Sequence, residues 1–143
     1  MKTKILKGQE GFTLVEIIAV LIILGILAAV AVPRYIDLEN NAKVRAIDAA
    51  VSELNGRESL AWADIKISPS GYDATGETRV WNKISAVDPG GTGRPYLGTD
   101  YSWSPNPANE EGDSALTFKN GTAITLNRTK SSSTQPGIWK KAP

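Results

Sequence analysis

The sequence has no cysteine and no histidine, and only one methionine and two phenylalanines. Without thiolate or imidazole it can build no Cys or His metal site and no Ser–His or Cys–His catalytic pair. Without cysteine it forms no disulfide, so any folded part is held by packing and hydrogen bonds alone. It also lacks charge of one dominant sign. The formal net charge is +1 over 143 residues, with no basic footprint of the kind a nucleic-acid binder carries. No nucleic-acid partner and no cofactor are expected.

What is present is unevenly placed. One long apolar run occupies the first 32 residues, and the rest is polar and rich in Gly, Ser, Thr, Asn and Pro. A chain of this size suits one head domain. The asymmetry points to a membrane- or partner-inserting segment joined to that head.

Phe12–Val32 carries one polar residue, Thr13, and one charge, Glu16. As a helix it would extend roughly 31 Å, about the thickness of a bilayer's hydrocarbon core. A short basic stretch with Lys2, Lys4 and Lys7 precedes it. Three readings compete. A secretory signal has a shorter apolar region, of about 7–15 residues, followed by a small-residue cleavage site, which Ala28, Ala29 and Ala31 could imitate. A plain transmembrane anchor explains the length but gives Glu16 no purpose beyond reaching the headgroups. The third reading is a precursor cut before the apolar segment. A carboxylate deep in a bilayer costs on the order of 2.5–3.5 kcal/mol unless it is paired. Cleavage just ahead of the segment would supply a cationic amine as partner.

The residues Gly11-Phe12-Thr13-Leu14-Val15-Glu16, behind a short basic leader, resemble the type III signal of prepilins. Gln9-Glu10 departs mildly from that pattern, in which a basic residue often precedes the Gly. The resemblance covers about a quarter of the chain. It implies a subunit of the type IV pilin and type II secretion pseudopilin family, not an enzyme. A prepilin peptidase would cut between Gly11 and Phe12 and methylate the new Phe12 terminus. Glu16 would then pair with that amine, in a neighbouring subunit or its own, as the subunit leaves the lipid for a helical fibre of identical copies built by an inner-membrane assembly platform. Charge counts on the two sides of the segment tie. The resemblance alone implies a cytoplasmic leader and a periplasmic head, with an extracellular fibre after assembly. It also places a helix break, bent or melted, between Gly25 and Pro33, although Pro33 could simply end a membrane helix.

Beyond Pro33, Ile36, Ile47, Val51 and Leu54, with Ala42, Ala46 and Ala50, recur at spacings of three and four. They predict an amphipathic continuation of the helix. Glu39–Lys43 and Glu53–Arg57 are oriented i,i+4 pairs on its solvated side. Gly56 is placed to end the helix near Asn55, with Ser59–Ala63 as a short extra turn. The expected fold class is therefore α+β, a long N-terminal helix packed on a small antiparallel sheet. The divisions are a leader at 1–11, a transmembrane or fibre-core helix at 12–33, an amphipathic helix at 34–63 and a loop-and-sheet head at 64–143.

In the head, breaker clusters at 68–71, 88–91 and 104–107 mark loops. Thr78–Ser85 reads as a helical turn or a strand, and Asp100–Ser104 as a short strand. Leu116–Leu126 reads as a hairpin. A three-residue loop, Lys119-Asn120-Gly121, pairs Leu116 with Ile124 and Phe118 with Thr122, with Gly121 as the left-handed residue of a bulge. That register gathers Leu116, Phe118, Ile124 and Leu126 on one face, to be packed on the helix around Ile47, Val51 and Leu54. The tail, Lys130–Pro143, is expected to be held only by Ile138 and Trp139. Asp88, Asp100, Glu110, Glu111 and Asp113 match no defensible Ca²⁺ loop and read as solvated acids, so no metal site is expected. Trp81, Trp103 and Trp139 read as core or subunit contacts.

Overall fold

The computed structural model describes residues 11–143 apart from 87, 92, 106 and 108–111. The chain divides into two compact units, Met1–Glu39 and Asn40–Pro143. The elements in order are α1 (Leu14–Ile67), α2 (Gly76–Ser85), β1 (Tyr101–Trp103), β2 (Gly112–Phe118), β3 (Ile124–Thr129) and β4 (Ile138–Lys141). The strands form one antiparallel sheet in the order β1-β2-β3-β4. This is the α+β layout expected.

In the first unit the apolar side chains of α1 are exposed. Phe12, Leu14, Val15 and every large aliphatic residue up to Val32 are exposed. This part is apolar around its whole circumference, so no rotation about the helix axis could hide it on one side. The helix runs without interruption through Gly25 and Pro33. Ile36, counted in the buried stripe from its spacing, is exposed, and burial begins at Ile47.

In the second unit one stripe of α1 is buried: Ile47, Ala50, Leu54, Glu58, Ala61 and Ile65. Gly56 does not end the helix. Its cost of roughly 1 kcal/mol relative to Ala is outweighed by the packing of Glu58, Ala61 and Ile65 on the following turns, and the helix continues to Ile67. Thr78–Ser85 falls within α2, which buries Val80, Trp81, Ile84 and Ser85.

The hairpin has the predicted register, with Leu116 opposite Ile124 and Ser114 opposite Leu126. Its turn differs from the expected bulge. Lys119 and Asn120 hold the left-handed conformation, with φ of 45° and 57°. The N–H of Gly121 donates to the Phe118 carbonyl at 2.9 Å. Two central residues with positive φ and that closing bond make a type I′ turn. The β2–β3 pairing ends at Leu116–Ile124, short of the expected Phe118–Thr122 pair, and on its other side Phe118 pairs with Tyr101 of β1. Gly121 is needed for space instead. A Cβ there would lie 2.9 Å from both Lys43 Cδ and the Phe118 carbonyl oxygen.

Cross-strand partners share a sheet face. Trp103, Leu116, Leu126, Arg128 and Trp139 therefore point inward together. The apolar members join Ile47, Ala50, Leu54, Val80, Trp81 and Ile84 in one core, with Val51, Phe118 and Ile124 packed at its margin. Around this core, acids are paired with cations of the same head, Asp48–Lys141, Glu53–Arg57, Asp64–Lys83, Asp73–Arg79 and Asp100–Lys119 at the surface and Asp88–Arg94 with the Asp88 side chain buried rather than solvated.

Candidate functional site

The residues singled out from the sequence lie in and before the first turns of α1. Gly11 and Phe12 precede the helix, and Phe12 is 80% exposed. In the uncut chain the Phe12 nitrogen is a peptide amide and not an amine. Glu16 has another partner. Its Oε2 accepts from the Thr13 backbone N–H at 3.4 Å, and its own N–H donates to Thr13 Oγ1 at 3.2 Å. This reciprocal arrangement is a capping box. It satisfies two backbone donors that a helix start otherwise leaves open. The pattern Thr13-x-x-Glu16 ahead of an apolar run is a capping signature legible in the sequence. The carboxylate also sits at the positive end of the helix dipole. Gly25 and Pro33 lie inside α1, and the leader residues before Gly11 are outside the described part.

The helix is long and apolar enough to cross a membrane, and none of its most apolar stretch is buried within the protein. Such a surface is far larger than soluble monomers expose and marks contact with lipid or with other chains. In lipid a helix also satisfies its own backbone hydrogen bonds. Pro33 is the exception, since it brings no N–H to the ladder.

The head holds a polar cluster that the sequence reading missed. Arg128 on β3 and Glu58 on α1 are 1% and 0% exposed at their side chains. Arg128 Nε donates to Glu58 Oε1 at 2.5 Å and Nη2 donates to Oε2 at 3.1 Å. Arg128 Nη1 donates to Glu77 Oε1 of α2 at 2.7 Å. The guanidinium lies near the rings of Trp81 and Trp139, 4.9 and 5.9 Å from their centroids. Burial by itself pulls the pKa of Arg128 down. The hydrogen bonds and charges of Glu58 and then Glu77 outweigh it, and the pKa lies above the ordinary arginine value. A sequence signal did exist. Glu58 falls four residues after Leu54 in the buried stripe, and Arg128 falls two after Leu126 on the inward side of its strand. Opposite charges at two inward positions point to a pair.

Asp88, Asp100 and Asp113 are engaged with Arg94, Lys119 and Asn127, while Glu110 and Glu111 lie outside the described residues. Among the described residues no group of three or more His, Cys, Asp or Glu could hold a metal ion. Trp81, Trp103 and Trp139 are core residues, packed ring against ring.

Comparison with known proteins bears on both parts of the chain. Residues 6–32 match the family described as the prokaryotic N-terminal methylation motif. The chain is 38% identical over 61 residues to the major component of a type IV narrow pilus from Thermus thermophilus, covering 43% of this chain and 53% of that protein. It is 43% identical over 56 residues to a fimbrial protein from Pseudomonas aeruginosa, covering 39% of this chain and 34% of that protein. These matches thus span about half or less of those relatives. Over 106 residues it is 35% identical to the type II secretion system core protein G from Pseudomonas aeruginosa, covering 64% of this chain and 75% of that protein. No solved structure matches it significantly. The methylation motif, the exposed apolar helix and the length of the secretion-protein match agree: the chain belongs to the family of type IV pilins and type II secretion pseudopilins, a family of structural subunits.

Proposed function

We propose that this chain is the precursor of a pilin-like subunit that polymerises through the first half of α1 into a type IV pilus-like fibre. The carrying observation is the apolar segment from Phe12 to Val32, exposed on all sides and interrupted by one carboxylate, Glu16. A segment of this kind is soluble in lipid and equally soluble among copies of itself. Transfer from bilayer to fibre core then exchanges one apolar surrounding for another. In this reading 1–11 is the leader, 12–33 the membrane and fibre-core segment, 34–63 the helix of the head and 64–143 its loops and sheet.

A prepilin peptidase cuts after Gly11 and methylates the freed Phe12 nitrogen. The new α-amine is largely cationic at neutral pH, and methylation keeps it basic. In low dielectric it attracts the Glu16 carboxylate of an adjacent subunit strongly enough to offset part of the desolvation of both ions. The pair sets the axial register of the incoming subunit. Before assembly the leader is cytoplasmic and the head periplasmic, and an inner-membrane platform drives extraction. Gly25 and Pro33 mark where α1 gives on assembly, because Pro33 contributes no N–H to the helix.

A second reading has a specific observation behind it. A match covering 64% of the chain is to a core protein of a type II secretion system, and a short periplasmic pseudopilus would use the same helix. Intact mass of the mature protein tests the shared part: it should begin at Phe12 and carry one extra methyl. Assembled fibres that retain residues 1–11, or normal fibre yield from Glu16→Leu subunits, would overturn it. Cells lacking the chain separate the two fibres. Loss of surface filaments marks the pilus, and blocked protein secretion with filaments intact marks the pseudopilus.

A further inference from the structure

The C-terminal segment docks on one face of α1 through polar contacts. Asn55, Glu58, Trp62 and Lys66 follow one another at spacings of three and four, so they share a helix face. Each bonds to the tail. Asn55 bonds to the backbone N–H and C=O of Trp139, at 2.7 and 3.0 Å. Glu58 Oε1 accepts from the Trp139 indole at 2.9 Å. Trp62 Nε1 donates to the Ser132 carbonyl at 2.8 Å, and Lys66 Nζ to that of Ser133 at 2.9 Å. From α2, Glu77 Oε2 accepts the Ser131 N–H at 2.6 Å and the Ser131 hydroxyl as well. Tyr72 OH lies 2.7 Å from Ser131 Oγ.

The Arg128 cluster explains why these bonds belong together. It places two carboxylates, Glu58 and Glu77, on one guanidinium, leaving one negative charge in excess at a buried site. Buried carboxylate oxygens need donors for their remaining lone pairs. Among the described residues, the Trp139 indole, the Ser131 amide and the Ser131 hydroxyl donate to them beyond Arg128, all three from the tail, with the Tyr72 phenol also bearing on Glu77. Gly137 completes the fit, because a Cβ there would come within 2.6 Å of Glu58 Oε2.

We infer that Ser131–Trp139 is a strap latched onto the head by the Glu58–Arg128–Glu77 cluster, a non-covalent clasp in a chain that can form no disulfide. Seating of the strap and neutralisation of the cluster are one event: without the strap the cluster is short of donors, and without the cluster the strap loses its bonds at Ser131 and at the Trp139 indole. The inference is independent of the fibre reading.

Hydrogen exchange on the full-length protein in detergent micelles tests it, comparing wild type with Arg128→Met and Gly137→Ala. The first removes the charge that joins the two carboxylates, and the second obstructs the strap while leaving every cluster residue in place. In both, the amides of Ser131 and Trp139 should exchange faster by about tenfold or more, while those of Ser114 and Leu116 in β2 keep wild-type protection. Because Gly137→Ala changes no cluster residue and acts only where the strap meets Glu58 and Arg128, it remains informative if Arg128→Met unfolds the head. Unchanged strap protection in Gly137→Ala overturns the latch. So does equal loss of protection in strap and β2 in that variant, since the cluster would then be an ordinary part of one cooperative core.

Discussion

Asn55 closes the free edge of the sheet at Trp139. The Ala142 N–H donates to the Thr125 carbonyl at 2.9 Å. In an antiparallel pair bonded and non-bonded positions alternate, so Trp139, opposite Arg128, turns its N–H and C=O away from β3. The carboxamide of Asn55 takes both groups and acts as a further strand one residue long. Asn55→Leu would leave both without a partner. The cost should be on the order of 1–3 kcal/mol, measured as a lower midpoint in denaturant. An uncovered edge also invites pairing with other chains, so aggregation of the variant should rise. A midpoint equal to wild type would show that water satisfies Trp139 as well as Asn55 does.

Gly76 lies against the ring of Tyr72, and an added Cβ would come within 2.6–2.8 Å of three ring carbons. Gly76→Ala must displace the ring and with it the hydroxyl that meets Ser131. Overpacking of this kind costs about 1–3 kcal/mol. Because helix propensity alone favours Ala over Gly by roughly 1 kcal/mol, the sign is diagnostic. A stabilised Gly76→Ala protein would mean that the ring moves freely.

Tyr72 also predicts a pH effect. Burial is the main cause that pushes its phenol above the ordinary tyrosine value. The folded state therefore holds this proton more tightly than the unfolded chain does. Its stabilising contribution is complete below the unfolded value of about 10 and is lost as pH rises through the folded value. Thermal midpoints should fall more steeply above about pH 10 in wild type than in Tyr72→Phe. Parallel curves would remove Tyr72 as the source.

Thr13→Val keeps the shape of residue 13 and removes its hydroxyl, the acceptor for the Glu16 N–H. Loss of such a cap costs about 1 kcal/mol. Amide exchange at Glu16 and Ile17 in micelles should accelerate by roughly fivefold, and Thr13→Ser should restore it. Equal exchange in Thr13→Val and wild type would mean that the box contributes nothing to the start of the helix.

Much of the fold could be read because its signals are local and repeated. The hairpin register followed from the requirement that Leu116, Phe118, Ile124 and Leu126 share a face, and the buried stripe from the spacing of Ile47, Leu54 and their neighbours. The failures have a common origin in competition between local preference and tertiary contact. Gly56 gave way to packing beyond it. Gly121 looked like the left-handed residue, yet Lys119 and Asn120 hold that conformation, and Gly121 is small because Lys43 lies close. Of the two residues expected to hold the tail, Trp139 is buried in the core while Ile138 is 38% exposed, and polar groups some 60 to 84 residues distant in sequence hold the rest of the segment. Nothing in a single sequence specifies which Glu will meet Arg128. Only the inward placement of both charges hinted that they should meet.

The carboxylates paired within the head have a further consequence for encounters between heads. Opposite charges a few ångströms apart form short dipoles whose fields decay well inside the Debye length of about 8 Å in physiological salt. Two heads drawing near one another therefore experience little steering at long range, in contrast to proteins that carry a one-signed patch. Their mutual recognition is left to shape and apolar contact at touching distance, and association between heads should respond only weakly to added salt.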